Sequence, residues 1–255
     1  MLIDSHCHIL SNEYEKPKDV IEDSKTSGVD KMIINGYDLE SSAEAVLLSN
    51  EYNYVYASIG IGPENIDGVS DKDFIKLEEL INKGKVVAIG EIGLDYYWTK
   101  DNKEKQIYVF ENMLALAKKY NLPVIVHCRQ AIKDTYELLK KYKVTGILHC
   151  FSGSAESAKE FIKLGFLIGI GGVVTFKNAK EIKDVVTKID LSNISLETDS
   201  PYLSPEPLRG KVNVPKNVIY VARKIAELKS VNLEEVLEVT SSNVTNKFDL
   251  YVYLW

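Results

Sequence analysis

The chain has 255 residues, of which 45% are hydrophobic, so it can bury a large core in one or two domains. Charged residues make up 27%, and the formal net charge of −6 excludes the global basic face with which proteins hold nucleic acid or anionic membranes nonspecifically. An anionic substrate would therefore need bound cations to change the sign of the local charge.

The sequence also indicates a compartment. The three cysteines, Cys7, Cys128 and Cys150, each follow a histidine directly, and an odd number at wide spacing argues against a disulfide framework. We expect them to be small buried side chains that face outward from their strands. No basic targeting segment is visible, and no run approaches the roughly 18 apolar residues of a membrane span. We therefore expect a cytoplasmic protein without membrane contact.

Short apolar, β-branched runs alternate with longer amphipathic segments along the whole chain. Runs of this length and composition are typical of buried strands. The predicted strands are Leu2–His6, Lys31–Asn35, Tyr54–Ile59, Val86–Glu91, Val124–His127, Gly146–His149, Leu167–Ile170 and Ile194–Glu197.

The amphipathic segments between the strands predict helices. Ser41 and Asp71 are expected N-caps, and Gly28, Gly84 and Gly165 fall where helices should end. The predicted helices are Lys18–Ser27, Ser41–Glu51, Asp71–Asn82, Lys103–Tyr120, Ala131–Lys141, Glu156–Leu164, Ala179–Lys188, Pro215–Lys229 and Asn232–Asn246.

The order of these elements predicts the fold class. Strict alternation of strands and helices favours a parallel sheet with right-handed crossovers. Eight strand–helix units are the number that closes into a (β/α)8 TIM barrel, an α/β fold of about 250 residues. We predict a single barrel domain over residues 1–255, with residues 232–246 as one extra C-terminal helix. The aromatic tail Phe248–Trp255 is expected to dock on the body or on a partner.

All four histidines come at the ends of apolar runs, and so do two carboxylates. In such barrels the catalytic groups lie at the carboxyl ends of the strands. A random scatter of histidines would not share one rim, so we predict a common task for these side chains. They are His6 and His8 after the first strand, Glu91 after the fourth, His127 after the fifth, His149 after the sixth and Asp199 after the eighth.

These side chains predict a site for two divalent cations, of Zn²⁺, Mn²⁺, Co²⁺ or Mg²⁺. His6 and His8 are two residues apart and face the same way, so both can bind one cation, with Asp199 joining them across the barrel seam. The histidines of strands five and six would hold the second cation, and Glu91 beside them can bridge the pair. The alternative is that the histidines are simply buried and satisfied by backbone groups.

Five segments surround these residues: DSHCH (Asp4–His8), GEIGLDYY (Gly90–Tyr97), PVIVHCR (Pro123–Arg129), HCFSGS (His149–Ser154) and ETDSPYL (Glu197–Leu203). In this order, and over nearly the whole chain, they resemble the TatD family of metal-dependent deoxyribonucleases. The resemblance implies a barrel of the amidohydrolase-like superfamily with a pair of divalent cations. It also implies the same division of the ligands, with Glu91 shared and no carboxylated lysine.

Two departures from the family pattern lie near the rim. After the third strand the family commonly has Gly-Ile-His-Pro, and this chain has Gly62 in place of the histidine. Later, Val212 and Val214 replace the arginine and the glutamate of the family's Gly-Lys-Arg-Asn-Glu-Pro. All six predicted ligands are kept. The pattern therefore supports the metal site better than it supports the family's activity, and either the substrate differs or the rate is lower.

Further polar residues of the rim are candidates for substrate binding. Arg129 would face inward and pair with a phosphate, or form an ion pair with a neighbouring helix. Ser152 and Gly153 precede a helix whose free N–H groups could bind an anion, unless Ser154 simply caps that helix. Lys211 is either a phosphate contact or a solvated charge.

The remaining candidates would support or complete the site. Asp95 is expected to orient a ligand histidine, and Glu197 to support a ligand or carry a proton. Tyr202 and the run Tyr96–Trp98 could stack on bases, although loop aromatics also cap cores. The candidate catalytic residues are Glu91, Asp199, Glu197 and Arg129.

The predicted function is metal-dependent hydrolysis of phosphodiester bonds by a deoxyribonuclease. A barrel mouth admits a strand end more readily than the middle of a duplex, which favours 3′–5′ exonuclease action on single-stranded DNA. One alternative is hydrolysis of aminoacyl or carboxylic esters or of amides on the same metal site. Another alternative is a metal-stabilised binding protein that has no catalytic activity. The intact set of six ligands argues against this alternative. We expect a monomer or a weak homo-oligomer.

Overall fold

In the computed structural model, which describes residues 1–99 and 101–251, eight parallel strands form a single sheet. Neighbouring strands in the sheet follow one another in the chain, which is the order of a barrel. The predicted TIM barrel is therefore confirmed. The strands are β1 (Ile3–Cys7), β2 (Lys31–Asn35), β3 (Val55–Ile59), β4 (Val86–Asp95), β5 (Val124–Arg129), β6 (Gly146–Leu148), β7 (Leu167–Ile170) and β8 (Ile194–Leu196).

Helices follow the strands in alternation, and one extra helix comes last, as predicted. This extra helix runs from Leu233 to Phe248, two residues beyond its predicted end at Asn246. The helices are α1 (Pro17–Thr26), α2 (Leu39–Glu51), α3 (Asp71–Leu80), α4 (Lys103–Tyr120), α5 (Ile132–Tyr142), α6 (Ala155–Lys163), α7 (Lys180–Lys188), α8 (Val218–Lys229) and α9 (Leu233–Phe248).

Two helices begin at caps other than the predicted ones. Asp38 is the N-cap of α2, since its Oδ1 accepts the Ser41 N–H at 2.8 Å while Ser41 Oγ accepts the Asp38 N–H at 3.0 Å. Ser41 is thus the third helical residue, which closes a capping box. Ser70 likewise precedes α3, and Asp71 is the first residue of that helix. In both places the prediction is wrong because it took a residue of the first turn for the cap.

The barrel closes at a seam between β1 and β8 where backbone pairing is sparse. Within the described residues this seam has only an isolated bridge from Cys7 to Ser200, whereas the other neighbouring strands share ladders. A fully buried carboxylate reinforces it: Asp4 accepts the Thr198 N–H at 2.9 Å and the Thr198 hydroxyl at 2.5 Å. Asp4 also accepts the His6 N–H at 3.3 Å. Asp4 therefore ties together the two segments that carry three predicted ligands.

Replacing Asp4 with alanine should lower the free energy of unfolding by about 3 kcal/mol, because the buried donors that it serves would be left unsatisfied. Urea denaturation followed by circular dichroism measures this change. Asp67→Ala is the matched control: the Asp67 side chain is 98% exposed, and we expect a change within about 0.5 kcal/mol. Equally small effects of the two substitutions would contradict the role of Asp4 at the seam.

The opposite end of the barrel is covered by α9 and the residues after it. Val244, Phe248 and Leu250 form one apolar cluster with side chains near the starts of the strands, among them Ile3. The Lys31 ammonium donates to the Leu250 carbonyl. The tail thus docks on the body as far as it is described, and residues 252–255 of the predicted aromatic tail lie outside the described residues. This leaves the carboxyl ends of the strands as the open face.

No helix in the described part of the chain is both long and apolar enough to cross a bilayer.

Candidate metal centre

The structure brings all six predicted ligand side chains together at the carboxyl ends of the strands. Three of them lie beyond a strand: His8 directly follows β1, His149 directly follows β6, and Asp199 comes after β8 with a left-handed φ of 55°. The others lie in strands: His6 in β1, Glu91 in β4 and His127 in β5.

One half of the cluster is built at the seam. His6 Nε2 lies 3.0 Å from His8 Nε2. Asp199 Oδ1 lies 3.3 Å from the first of these nitrogens and 3.5 Å from the second. Glu91 Oε2 lies 3.4 Å and 3.2 Å from the same two atoms. Two imidazole nitrogens therefore face two carboxylates at close range.

The other half is built from β4, β5 and the end of β6. His127 Nδ1 lies 3.2 Å from His149 Nε2. Glu91 Oε1 lies 3.2 Å from the His127 nitrogen and 3.1 Å from that of His149. Glu91 thus gives one carboxylate oxygen to each half and joins them.

Two of the ligand rings are oriented by acceptors on their far sides. His127 Nε2 lies 2.9 Å from Asp95 Oδ2, so its other nitrogen faces Glu91. His8 Nδ1 lies 2.9 Å from the Asn35 carbonyl, which turns its Nε2 toward the cluster. A neutral imidazole that donates from one nitrogen offers a lone pair on the other. In the neutral form that a metal requires, both rings would therefore direct their lone pair toward the cluster.

Burial and close charges shift the pKa values in the cluster strongly. Burial lowers the pKa of His127, but hydrogen bonds to Asp95 and Glu91 outweigh burial and raise it to about 10. Burial, together with the charge on His6, lowers the pKa of His149 to about 4. Burial would raise the pKa of Glu91, yet the neighbouring imidazoles hold it well below its usual value. Protons here compete for the positions that a cation would take.

The donor set fits a pair of divalent cations. Each half contains three ligand atoms within 4.8 Å of one another, from His6, His8 and Glu91 in one half and from Glu91, His127 and His149 in the other. Imidazole nitrogens and carboxylate oxygens are the donors that Zn²⁺ and Mn²⁺ accept together.

The centre opens into a cavity of about 1120 Å³ whose lining includes Arg129, Trp98 and Tyr202. The Arg129 guanidinium carbon lies 3.7 Å from the centroid of the Tyr97 ring and 5.4 Å from that of Trp98. The Trp98 side chain is 68% exposed. The Tyr202 hydroxyl donates to Glu13 at 2.9 Å. The cavity thus combines the stacked Arg129 guanidinium with exposed aromatic rings.

The predicted anion site at the start of α6 is only partly assembled. Ser154 is the N-cap, and its Oγ accepts the Ser157 N–H at 3.2 Å. Ser152 is exposed and lines the cavity. Gly153 packs close to the side chains of Ser157 in α6 and Ile132 in α5, and Lys211 is exposed on the loop after β8; both lie outside the lining formed by the described residues.

The cysteines do not all face the outer helices, and that prediction is wrong. Cys150 lines the cavity. Cys128 also borders it, but its thiol lies beside Thr135 of the outer helix α5, as predicted. Alternation along a strand does not reach Cys150, because β6 ends before it and its φ is 42°. The Cys150 N–H donates to Glu197 Oε1. Glu197 is fully buried, and burial raises its pKa to about 8. Glu197 therefore supports the turn that carries His149.

Two residues that shape the centre were missed by the sequence analysis. Asn35 orients His8 through its backbone carbonyl, and a backbone group leaves no mark in the sequence. Asp4 could have been found, because it lies on β1 at the same two-residue spacing as His6 and His8.

Comparisons with known proteins were consistent in family, fold and length. The profile of the family described as "TatD related DNase" matches residues 3–249. The Bacillus subtilis (strain 168) protein described as "Uncharacterized metal-dependent hydrolase YabD" is 43% identical over 252 residues, which cover 97% of this chain and 99% of that protein.

Two solved structures extend the likeness to three dimensions. The crystal structure of YjjV, a TatD homolog from Escherichia coli K12, is 32% identical with a TM-score of 0.91 and covers 97% of this chain and 98% of that one. The structure of a hydrolase TatD family protein from Entamoeba histolytica is 25% identical with a TM-score of 0.87 and covers 98% of both chains.

Proposed function

This chain belongs to the TatD family of metal-dependent hydrolases, and on that premise we propose that it is a deoxyribonuclease that removes nucleotides from the 3′ end of single-stranded DNA. The observation that carries the proposal is the division of the Glu91 carboxylate between two pairs of histidines. A shared carboxylate between two such sets is typical of two-cation hydrolases.

The proposal gives separate roles to the cations, to the residues that would bind them and to the residues that orient those ligands. When bound, two divalent cations supply Lewis-acid charge at the reacting phosphate and lower the pKa of water. Asp95 keeps the His127 ring in the orientation that serves the centre, and Asn35 does the same for His8. The residues that would hold the cations are His6, His8 and Asp199 for one, His127 and His149 for the other, and Glu91 for both.

The cavity supports a nucleotide substrate. Arg129 is held by stacking on Tyr97, and a guanidinium fixed in this way can pair with a phosphate oxygen as a planar fork. Trp98 offers an exposed ring on which a base could stack, an interaction worth about 1–3 kcal/mol. Because the formal net charge of the chain is −6, local positive charge at the cavity is needed for it to bind DNA.

The direct test follows single-stranded DNA labelled at the 3′ or the 5′ end. Metal-stripped protein is re-supplied with Mg²⁺, Mn²⁺ or Zn²⁺, and the products are separated on a gel. We expect metal-dependent shortening from the 3′ end. An intact oligonucleotide under all three metals, alongside chelator-sensitive turnover of an aminoacyl ester or an amide, would refute the nuclease and favour the alternative hydrolase.

Arg129→Ala should lower kcat/KM for single-stranded DNA by roughly 10–100-fold, as expected for loss of a charged hydrogen bond. The matched control is Arg209→Ala. Arg209 also stacks on an aromatic ring, at 4.4 Å from the centroid of Phe176, but both residues lie outside the described lining of the cavity. Steady-state kinetics of the two variants separate a substrate contact from a general loss of stacking. Equal losses in both would contradict the phosphate role of Arg129.

The alternative substrate class is favoured by one observation, the glycine at position 62. Gly62 lines the cavity, and a Cβ built there would come no closer than 3.4 Å to its nearest neighbour, Tyr37. A side chain at this position would therefore reach the cavity. If the chain is a nuclease with a reduced rate, Gly62→His should raise its turnover of DNA at least about tenfold by adding a proton-transfer group. A gel assay that shows no gain would favour ester or amide substrates.

A further inference from the structure

A second group of ligand-type side chains lies against the metal centre. His149, Cys150 and Glu197 each offer a ligand atom, and these atoms lie within 4.8 Å of one another. We propose that these three residues form a separate site for a soft or borderline divalent cation, Zn²⁺ or Cd²⁺. This site would hold its cation beside the pair at Glu91, and it does not depend on which bond the enzyme cleaves.

Glu197 has one carboxylate oxygen available for this purpose. Its Oε1 accepts the Cys150 N–H. Its Oε2 is buried and has no hydrogen-bond partner among residues 1–99 and 101–251. A buried carboxylate oxygen without a partner carries a large desolvation cost. A cation at this oxygen would offset that cost.

His149 has one nitrogen available as well. Its Nε2 faces His127 and Glu91 in the centre already described. Its Nδ1 is buried and, within the described part of the chain, makes no hydrogen bond. We assign Nδ1 to the new site, so the ring would bridge the two sites. Binding replaces the thiol proton of Cys150, the ring proton of His149 and, below a pH of about 8, the carboxyl proton of Glu197, and these protons leave to water.

The group can be reached from the cavity. Glu197 Oε2 packs closely on Gly169, where an added Cβ would lie only 2.4 Å from it, so a glycine is needed at this position. Cys150 is half-buried and lines the cavity, which gives a path from solvent. A thiolate ligand selects Zn²⁺ or Cd²⁺ over Mg²⁺ and Mn²⁺. The new site should therefore differ from the Glu91 centre in the metals that it accepts.

The test uses Cd²⁺ alone as the probe. Wild type, Cys150→Ser and Cys128→Ser are dialysed against Cd²⁺, and bound metal is counted by elemental analysis while thiolate–Cd²⁺ charge-transfer absorption is recorded in the ultraviolet. We expect wild type and Cys128→Ser to bind one Cd²⁺ more than Cys150→Ser and to show the absorption, which Cys150→Ser lacks. Cys128 is the matched control because it also lines the cavity but lies outside the proposed group.

A second variant, Glu197→Gln, keeps the thiol and removes the carboxylate. We expect it to lose the extra Cd²⁺ and most of the absorption. Equal Cd²⁺ counts in wild type and Cys150→Ser, or absorption that survives in Cys150→Ser, would overturn the proposal. Mn²⁺ counts on the same proteins report on the Glu91 centre instead. A loss of metal binding at the Glu91 centre can therefore be distinguished from a loss of binding at the site of His149, Cys150 and Glu197.

Discussion

Glu91→Gln should lower kcat at least about 10³-fold, the loss expected when a group that organises charge at the reacting centre is removed. Glutamine keeps the shape of the side chain, but its NH₂ group cannot bind a cation, so one half of the centre loses its oxygen. Bound Mn²⁺ should fall from two per chain toward one. Steady-state kinetics and elemental analysis on the same sample measure the two effects together.

The matched control is Glu13→Gln. Glu13 lines the same cavity, yet its carboxylate bonds to the Tyr202 and Tyr37 hydroxyls and not to the histidines. Its substitution should leave the Mn²⁺ count unchanged and affect kcat far less than Glu91→Gln does. If Glu91→Gln kept two Mn²⁺ and most of its activity, Glu91 would not be the residue that joins the halves.

The clustering of the six candidate ligands could be predicted from the sequence because their positions follow a simple rule. Parallel strands of a barrel end on one face, so a polar residue at the end of an apolar run is placed there by the topology alone. His6 and His127 lie within their strands, and the two-residue spacing along β1 also identifies His8.

The rule fails where the chain leaves the strand. Cys150 and Asp199 both have positive φ, at 42° and 55°, so strand alternation does not set the direction of their side chains. This is why the outward prediction for Cys150 is wrong. Tertiary contacts set the positions of loop residues instead: Ser152 belongs to the described lining of the cavity, whereas its neighbour Gly153 does not.

Removing the cations should lower the melting temperature by about 5–10 °C per cation, if the free concentration of the metal had been about 100 times its Kd. The ligands come from four strands and the loop after β8, so only the folded chain can assemble them and cations should stabilise the folded state selectively. Calorimetry with and without a chelator measures the shift. In Glu91→Gln the shift should shrink by about half, because one cation is lost. The measurement needs no substrate. A melting temperature indifferent to chelation in the wild type would therefore contradict the metal centre itself, whatever bond the enzyme cleaves.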